Sequence, residues 1–131
     1  MSNPKVLIAF YSRSSVTEAL ANAIAEGARS AGAEVRLRRA REFVSPEIMA
    51  RAPGWKEAAE AMNQKYEAPA EADAEWADAI VFGTPTRFGN ASAELKAYID
   101  SLGGLWFQGK LNGKAGSAAL VANALKAGEA L

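Results

Sequence analysis

The stretch KVLIAFYSRSSVTEALANAI, residues 5–24, decides the architecture of this chain. It opens with KVLIAFY, a continuous apolar run rich in β-formers, which is typical of a buried parallel strand. From residue 17 the side chains follow helical spacing, with Leu20, Ile24 and Ala28 on one face and Gly32 as a stop signal. The sequence therefore predicts a strand over 5–11 followed by a helix over 17–31.

Strands and helices continue to alternate along the rest of the chain. The predicted elements are a strand over 33–40, a short amphipathic helix over 54–66, a surface connection over 67–78, a buried strand over 78–85 and a capped helix over 90–104. This order predicts an α/β fold, a doubly wound parallel sheet between two helical layers, in a single domain over residues 1–131. Ligands of such sheets bind outside the carboxyl ends of the strands, where the loops at 11–17 and 83–90 are expected to lie.

Composition excludes several classes of site. The chain has 131 residues, of which 15 are basic and 15 acidic, so it carries no electrostatic footprint for nucleic acid. It contains no cysteine and no histidine, which excludes structural zinc sites, thiol catalysis and histidine-based triads. We therefore expect no metal site, and chemistry from other side chains, backbone amides or a cofactor.

Nothing in the pattern points to a membrane or to export. The longest apolar run, around residues 6–10, is far too short to span a bilayer. The N-terminal MSNPK lacks the charged-then-apolar pattern of a signal peptide. We therefore expect a cytoplasmic protein without membrane insertion.

The connection between the first strand and the first helix is rich in hydroxyl groups. Residues 11–17 read YSRSSVT. A turn of this kind at a helix N-terminus offers unpaired N–H groups and the positive end of the helix dipole, which together form a phosphate cradle. Serine and threonine are also good helix caps. These residues alone leave open whether the segment binds an anion or only caps the helix.

A second unusual loop follows the strand over 78–85. Residues 83–90 read GTPTRFGN, and glycines next to an aromatic side chain suit the close approach of a flat ligand. An ordinary strand-to-helix turn with an asparagine cap would account for Gly83, Pro85 and Asn90. It would leave Arg87 and Phe88 at the tip without a reason.

Two long segments of the chain carry a family resemblance. FYSRSSVTEALANAI and IVFGTPTRFGNASAELKAYIDSLGGLW resemble the flavodoxin-like WrbA family of NAD(P)H:quinone oxidoreductases. The resemblance covers residues 4 to about 117. It implies a flavodoxin-like sheet and FMN as the cofactor.

The resemblance also implies which residues bind the cofactor. The FMN phosphate would be held by Ser12, Arg13, Ser14, Ser15, Val16 and Thr17. The isoalloxazine would be bordered by Pro85, Thr86, Arg87, Phe88, Gly89 and Asn90. Trp106 would lie near the substrate space over the ring, or else serve as a core or oligomer-packing residue. Relatives usually have an aromatic-glycine pair where Ser14 and Ser15 stand, a departure that affects the contact with the nicotinamide nucleotide.

The activity implied is the two-electron reduction of quinones to hydroquinones by NADH or NADPH, in a ping-pong cycle through the flavin. An enzyme of this kind is expected to be a homotetramer, as its relatives are. The alternative is a non-enzymatic, flavodoxin-like electron carrier or partner-binding module. The zero formal net charge is against a carrier, because such shuttles generally dock through an acidic face.

The C-terminal part of the chain departs from the family pattern. After Ser117 the sequence continues as AALVANALKAGEAL, which predicts a terminal amphipathic helix over 118–131. Relatives have a further strand and a glycine-rich flavin loop at this point. The sequence therefore predicts a sheet that lacks a segment near residues 117–120.

Overall fold

The computed structural model of the protein describes residues 3–121. Its elements, in chain order, are β1 Lys5–Phe10, α1 Ser15–Ser30, β2 Glu34–Arg39, α2 Pro46–Met49, α3 Trp55–Lys65, α4 Glu71–Trp76, β3 Ala79–Arg87, β4 Asn90–Ala91, α5 Ala93–Ser101, α6 Gly103–Phe107 and β5 Ala115–Val121. The predicted strands over 5–11, 33–40 and 78–85 and the predicted helices over 17–31, 54–66 and 90–104 are all confirmed, with small shifts at their ends.

The central strand of the sheet is β1. It pairs in parallel with β2 on one side and with β3 on the other, and β5 continues the parallel sheet beyond β3. The parallel order is therefore β2-β1-β3-β5, while the short β4 pairs antiparallel with the end of β3. Because the chain leaves β1 toward β2 and later returns to its other side, the order reverses between β1 and β3, and the predicted doubly wound sheet is confirmed.

Two apolar clusters cover the two faces of the sheet. From β1, Leu7 and Ala9 point into one cluster and Ile8 and Phe10 into the other, as strand alternation requires. The first cluster takes in residues of α4, α5 and α6, and the second takes in residues of α1 and α3. All four of these β1 side chains are fully buried, which explains why the strand reads as one apolar run.

One predicted surface connection is a helix. Residues 71–76 form α4, and within it Asp73 and Ala74 are buried. Asp73 accepts a hydrogen bond from the N–H of Ala70 at 2.9 Å and pairs with Arg36 at 3.1 Å and Arg38 at 3.4 Å. The prediction was wrong because the acidic residues looked solvated, whereas one of them is paired with arginines from β2.

The prediction for the C-terminal part was also wrong where the structure describes it. Residues 115–121 form β5, whose register with β3 runs without a break from Ala79–Ala115 to Pro85–Val121. Residues 118–121 are therefore strand instead of the start of a helix. Small residues have weak intrinsic preferences, so the free edge of β3 decides their conformation. The rest of the predicted helix, 122–131, lies outside the described residues.

Within residues 3–121, none of the helices has both the length and the apolar character that crossing a bilayer requires.

Candidate functional site

The hydroxyl-rich segment and the GTPTRFGN segment meet at the carboxyl edge of the sheet. Phe10 at the end of β1 pairs with Gly83 of β3, and the N–H of Tyr11 donates to the carbonyl of Gly83 at 3.0 Å. A side chain at Gly83 would approach Phe10 Cβ to 3.1 Å, so glycine lets the two strands come close here. Residues 12–17 and 84–90 thus lie side by side at this edge, at the point where the strand order reverses.

Within the first segment, Ser12 does the capping. Its buried hydroxyl accepts a hydrogen bond from the N–H of Glu18 at 3.1 Å and donates to the carbonyl of Ser14. Ser14 occupies the N-cap position of α1, but its side chain makes no capping bond. Capping therefore accounts for one hydroxyl of the segment and leaves the others without that role.

The first N–H groups of α1 are donors that have no acceptor within the helix. Ser15, Val16 and Thr17 open the helix, and within the described residues none of their N–H groups has an acceptor in the turns and caps. All three stand at the positive end of a 16-residue helix. This arrangement can hold an anion such as a phosphate.

The side chains of this segment point in different directions. Ser14, Ser15 and Val16 are exposed, whereas Thr17 is buried. The guanidinium of Arg13 lies over the ring of Trp55 on α3, 4.0 Å from its centroid. Of the predicted donors, the hydroxyls of Ser14 and Ser15 are therefore at the surface, while Ser12 and Thr17 belong to the interior.

The second segment is a β-hairpin instead of an irregular loop. Strand β3 extends to Arg87, which pairs with Asn90 of β4. Phe88 and Gly89 form the two-residue turn between them, with φ values of 54° and 81°. Positive φ at both positions is the signature of a type I′ turn. Asn90 is therefore no helix cap, and Ser92 caps α5 by accepting from the N–H of Leu95.

Phe88 has no packing role within the described residues. Its side chain is fully exposed at the tip of the hairpin, and its positive φ is a conformation that a bulky residue rarely adopts. Such strained and exposed positions are typical of ligand contacts. Pro85 and Thr86 are half-buried at the base of the hairpin, while Arg87, Gly89 and Asn90 are exposed.

Trp106 lies at the other end of the sheet. It lines an apolar cavity of about 450 Å³ together with Ile80, Ala115 and Gly116, which stand near the amino ends of β3 and β5. The ring is 72% exposed, so Trp106 is not a core residue. The fold thus brings the hydroxyl-rich segment and the GTPTRFGN segment together. Trp106 of the same chain lies away from both.

A polar cluster that no sequence pattern predicted lies behind the first segment. Tyr11, Arg39 and the side chain of Glu42 are buried in it, and Asn63 closes it from the exposed surface of α3. Burial raises the pKa of Glu42, but the hydrogen bonds and charge of Arg39 outweigh it, so this pKa lies below its usual value. Burial, and then the carboxylate of Glu42, raise the pKa of Tyr11. One signal was available, since Arg39 shares the strand parity of Val35 and Leu37, the apolar positions of β2.

Solved structures contain the same fold. The crystal structure of a flavodoxin, WrbA-like protein from Agrobacterium tumefaciens superposes with a TM-score of 0.61 and 26% identity, over 95% of this chain and 66% of that one. The predicted flavodoxin-like fold is thereby confirmed.

Curated relatives are more similar in sequence. The NAD(P)H dehydrogenase (quinone) of Deinococcus radiodurans is 46% identical over 125 residues, which are 95% of this chain and 62% of that protein. The enzyme of the same name from Azorhizobium caulinodans is 45% identical over 114 residues, 87% of this chain and 54% of that protein. The chain thus spans between about half and two thirds of the length of these relatives.

One family description covers nearly the whole chain. The model of the family described as NADPH-dependent FMN reductase matches residues 5–131. Together with the relatives and the solved structure, this match confirms the resemblance found in the sequence. The chain belongs to the family of NADPH-dependent FMN reductases.

Proposed function

We propose that this protein binds FMN and reduces quinones to hydroquinones with NADH or NADPH as the reductant. The proposal is drawn from family membership and from relatives named NAD(P)H dehydrogenase (quinone), which are longer than this chain. The alternative, a flavodoxin-like electron carrier, has no observation in its favour beyond the fold.

The observation that carries the proposal is the free amide row at the start of α1. Ser15, Val16 and Thr17 offer N–H groups at the positive end of the helix. The acidic residue of this first turn is Glu18, whose carboxylate accepts a hydrogen bond from the hydroxyl of Tyr66. Such a site fits the phosphate of FMN, with the exposed hydroxyls of Ser14 and Ser15 as further donors. Arg13 would add a cation beside it, held in place by its stacking on Trp55.

The hairpin is well suited to border the flavin ring. Phe88 presents an exposed aromatic face, and Gly89 keeps the turn free of a side chain. Pro85 and Thr86 at the base of the hairpin, and Asn90 opposite Arg87, would complete the contact. Among the described residues, the exposed side chain of Arg87 bonds only to the carbonyl of Thr86, so no carboxylate neutralises its charge there. That positive charge would favour an anionic flavin ring over a neutral one.

When bound, FMN supplies the redox chemistry, because it can take a hydride from NAD(P)H and deliver two electrons to a quinone. The residues of this chain would anchor the phosphate, orient the ring and keep one of its faces open. The net reaction would convert NAD(P)H, a quinone and one proton to NAD(P)⁺ and the hydroquinone. No histidine or cysteine is needed for this exchange, in agreement with the composition.

The assembly we propose is a homotetramer in the cytoplasm, as the family resemblance implies. Trp106 lies at the amino end of the strands, so it would reach a flavin only if that flavin belonged to a neighbouring copy. Its high exposure agrees with a place in such a contact.

The test is a visible absorption titration of the protein with FMN, followed in the same cuvette by NADH or NADPH and then benzoquinone. We expect binding, bleaching of the flavin by the nicotinamide nucleotide, and recovery of the colour on adding quinone. Bleaching must exceed that of free FMN under the same conditions. Binding without bleaching would instead identify a carrier, and an absence of binding would contradict the proposal.

A further inference from the structure

A buried ion pair lies directly behind the hydroxyl-rich segment. The side chains of Arg39 and Glu42 are 0% and 3% exposed. Arg39 Nη1 donates to Glu42 Oε1 at 3.1 Å and Arg39 Nη2 donates to Glu42 Oε2 at 2.6 Å, so the two groups face each other through a pair of hydrogen bonds. Taking both charges out of water is costly, and apolar residues of the same size often serve stability as well. Stability alone therefore does not explain why an arginine and a glutamate are buried at this position.

The same guanidinium holds the backbone that follows β1. Arg39 Nη2 also donates to the carbonyl oxygen of Ser12 at 2.8 Å, in a fully buried hydrogen bond. Arg39 Nη1 also donates to Asn63 Oδ1 of α3 at 2.7 Å, and the hydroxyl of Tyr11 donates to Glu42 Oε2 at 2.9 Å. One side chain thus joins the end of β1 to β2, to the following loop and to α3.

Arg39 acts where the sheet hydrogen bonds of β1 end. The carbonyl of Phe10 accepts from the N–H of Ala40 at 2.8 Å, and the N–H of Tyr11 donates to Gly83. Beyond this point the Ser12 carbonyl is bound by Arg39. Because a trans peptide is planar, this contact also turns the N–H of Arg13 to the opposite side. The bond from the Ser12 hydroxyl to the Ser14 carbonyl has the same effect on the N–H of Ser15.

We infer that Arg39 is a positioning residue for the phosphate cradle: it holds the Ser12 carbonyl inward, so that the N–H groups of residues 13–17 are oriented for an anion before it arrives. This inference rests on the FMN function proposed above and deepens it. Glu42 neutralises the charge of Arg39, so the effect comes through the geometry of the segment. Preorganisation of this kind raises affinity by lowering the ordering cost of binding.

The role requires the planar fork of arginine. Its donors serve Glu42, Asn63 and Ser12 at once, from two nitrogen atoms that point in fixed directions. The single ammonium of a lysine has three donors on one atom and cannot span this set. Arg39→Lys should therefore keep the charge and lose the clamp.

Riboflavin provides the test, because it has the ring of FMN and no phosphate. Dissociation constants for FMN and riboflavin are measured by flavin fluorescence for the wild type, R39K and the double variant R39M/E42M. The double variant removes both charges together, so that neither is left unpaired in the interior. The matched control is R36M, which removes an arginine of the same strand that pairs with Asp73.

We expect the FMN constant to rise by about tenfold in R39K and in R39M/E42M, while the riboflavin constant stays within about twofold of the wild-type value. In R36M the ratio of the two constants should not change. A second readout needs no flavin: hydrogen exchange of the amides of residues 13–17 should be faster in both Arg39 variants than in R36M. The comparison is made only between variants whose remaining amides exchange as in the wild type, because a poorly folded variant exchanges faster throughout.

An unchanged FMN-to-riboflavin ratio in folded variants would overturn the inference alone. This holds whether both constants stay the same or both rise equally, and an equal rise would indicate a general structural effect. A wild-type protein that binds FMN no better than riboflavin would contradict the proposed phosphate site itself. The two failures are therefore distinguishable.

Discussion

The hydroxyl of Tyr66 donates to Glu18 Oε2 at 2.7 Å and so joins the end of α3 to the first turn of α1. The same hydroxyl accepts from Asn22 Nδ2 at 2.8 Å. The first turn of α1, which carries the free N–H groups, is therefore fixed by hydrogen bonds to Tyr66 at the end of α3 and to the Ser12 hydroxyl.

Tyr66→Phe should lower both stability and FMN affinity. Removing the hydroxyl takes one hydrogen bond each from Glu18, which keeps Lys65 Nζ at 3.9 Å, and from Asn22, which keeps the Glu18 carbonyl at 2.9 Å. This loss should cost about 1 kcal/mol of unfolding free energy, measured by urea denaturation. Tyr98→Phe is the matched control, because it removes a hydroxyl that donates to the carbonyl of Ala70, away from α1. An FMN affinity lost equally in both variants would contradict the role of Tyr66 at the helix start.

Ser15→Pro should weaken FMN binding without unfolding the helix. Proline is accepted at the first helical position, and Ser14 already has the extended backbone that a following proline requires. The substitution removes one N–H donor of the cradle, and we expect FMN affinity to fall by roughly tenfold while riboflavin affinity is kept. Ser15→Ala removes the hydroxyl but keeps the N–H. Equal affinities in the two variants would show that this amide does not bind the phosphate.

Phe88→Asn should stabilise the protein and weaken its hold on the flavin. Asparagine tolerates positive φ far better than phenylalanine, and the exposed ring makes no packing contribution that would be lost. We expect the free energy of unfolding, measured by thermal or urea denaturation, to rise by about 1 kcal/mol, with weaker binding of both FMN and riboflavin. Gly89→Ala, at a φ of 81°, should instead destabilise the turn. Unchanged flavin binding in Phe88→Asn would remove Phe88 from the site.

Gly83→Ala should destabilise the sheet at the point where β1 and β3 meet. The added Cβ would lie 3.1 Å from Phe10 Cβ, a contact that the buried neighbouring strand cannot easily relieve. Overpacking of this kind costs about 1–3 kcal/mol. Gly116→Ala is the control, because it lies in β5 of the same sheet and no atom of residues 3–121 comes within 4 Å of the new Cβ. Similar unfolding midpoints for the two variants would contradict the close approach.

Acid should weaken the protein in part through Glu42. Its pKa in the folded protein lies below the ordinary value of 4.5, so its contribution to stability is present above that pH and is lost as the pH falls through the folded-state pKa. Urea midpoints measured at neutral pH and at about pH 3.5 should therefore differ less in R39M/E42M than in the wild type. Glu57→Gln, an exposed position of α3, serves as the control. A pH dependence that is the same in the double variant would exclude Glu42 as a contributor.

The sequence made β1, β3 and α1 predictable because burial leaves clear periodic signals. Strand β1 is buried on both faces and reads as a continuous apolar run, and α1 carries its apolar residues at helical spacing. By contrast, the first five residues of β5, AGSAA, are small and their conformation is decided by the edge of β3, while α4 is rich in acidic residues. Contacts with distant residues determine both elements: β5 pairs with β3, and Asp73 of α4 pairs with arginines of β2. A local sequence pattern does not show such contacts.

The site was predictable in its positions but not in its geometry. Both segments lie at the carboxyl edge as expected, because strand ends of a parallel sheet share one edge. The hairpin was missed because glycine and proline in GTPTRFGN indicate a loop, whereas Pro85 lies within β3. Strand parity sets Arg39 apart from Arg36 and Arg38, but an arginine at an inward position reads as an exception to the pattern. Its buried role became clear only from Glu42, the partner that neutralises it.

The position of β1 in the middle of the sheet has a consequence for synthesis on the ribosome. The first strand to emerge finds its second neighbour only when β3 follows, and the N–H of Lys5 then bonds to Asp78, 73 residues away. Until that point one edge of β1 stays unpaired, and such edges invite aggregation and chaperone binding. Closing a loop of this length also slows folding. The two segments that would bind FMN therefore lie side by side only after β3 has been synthesised and has docked on β1.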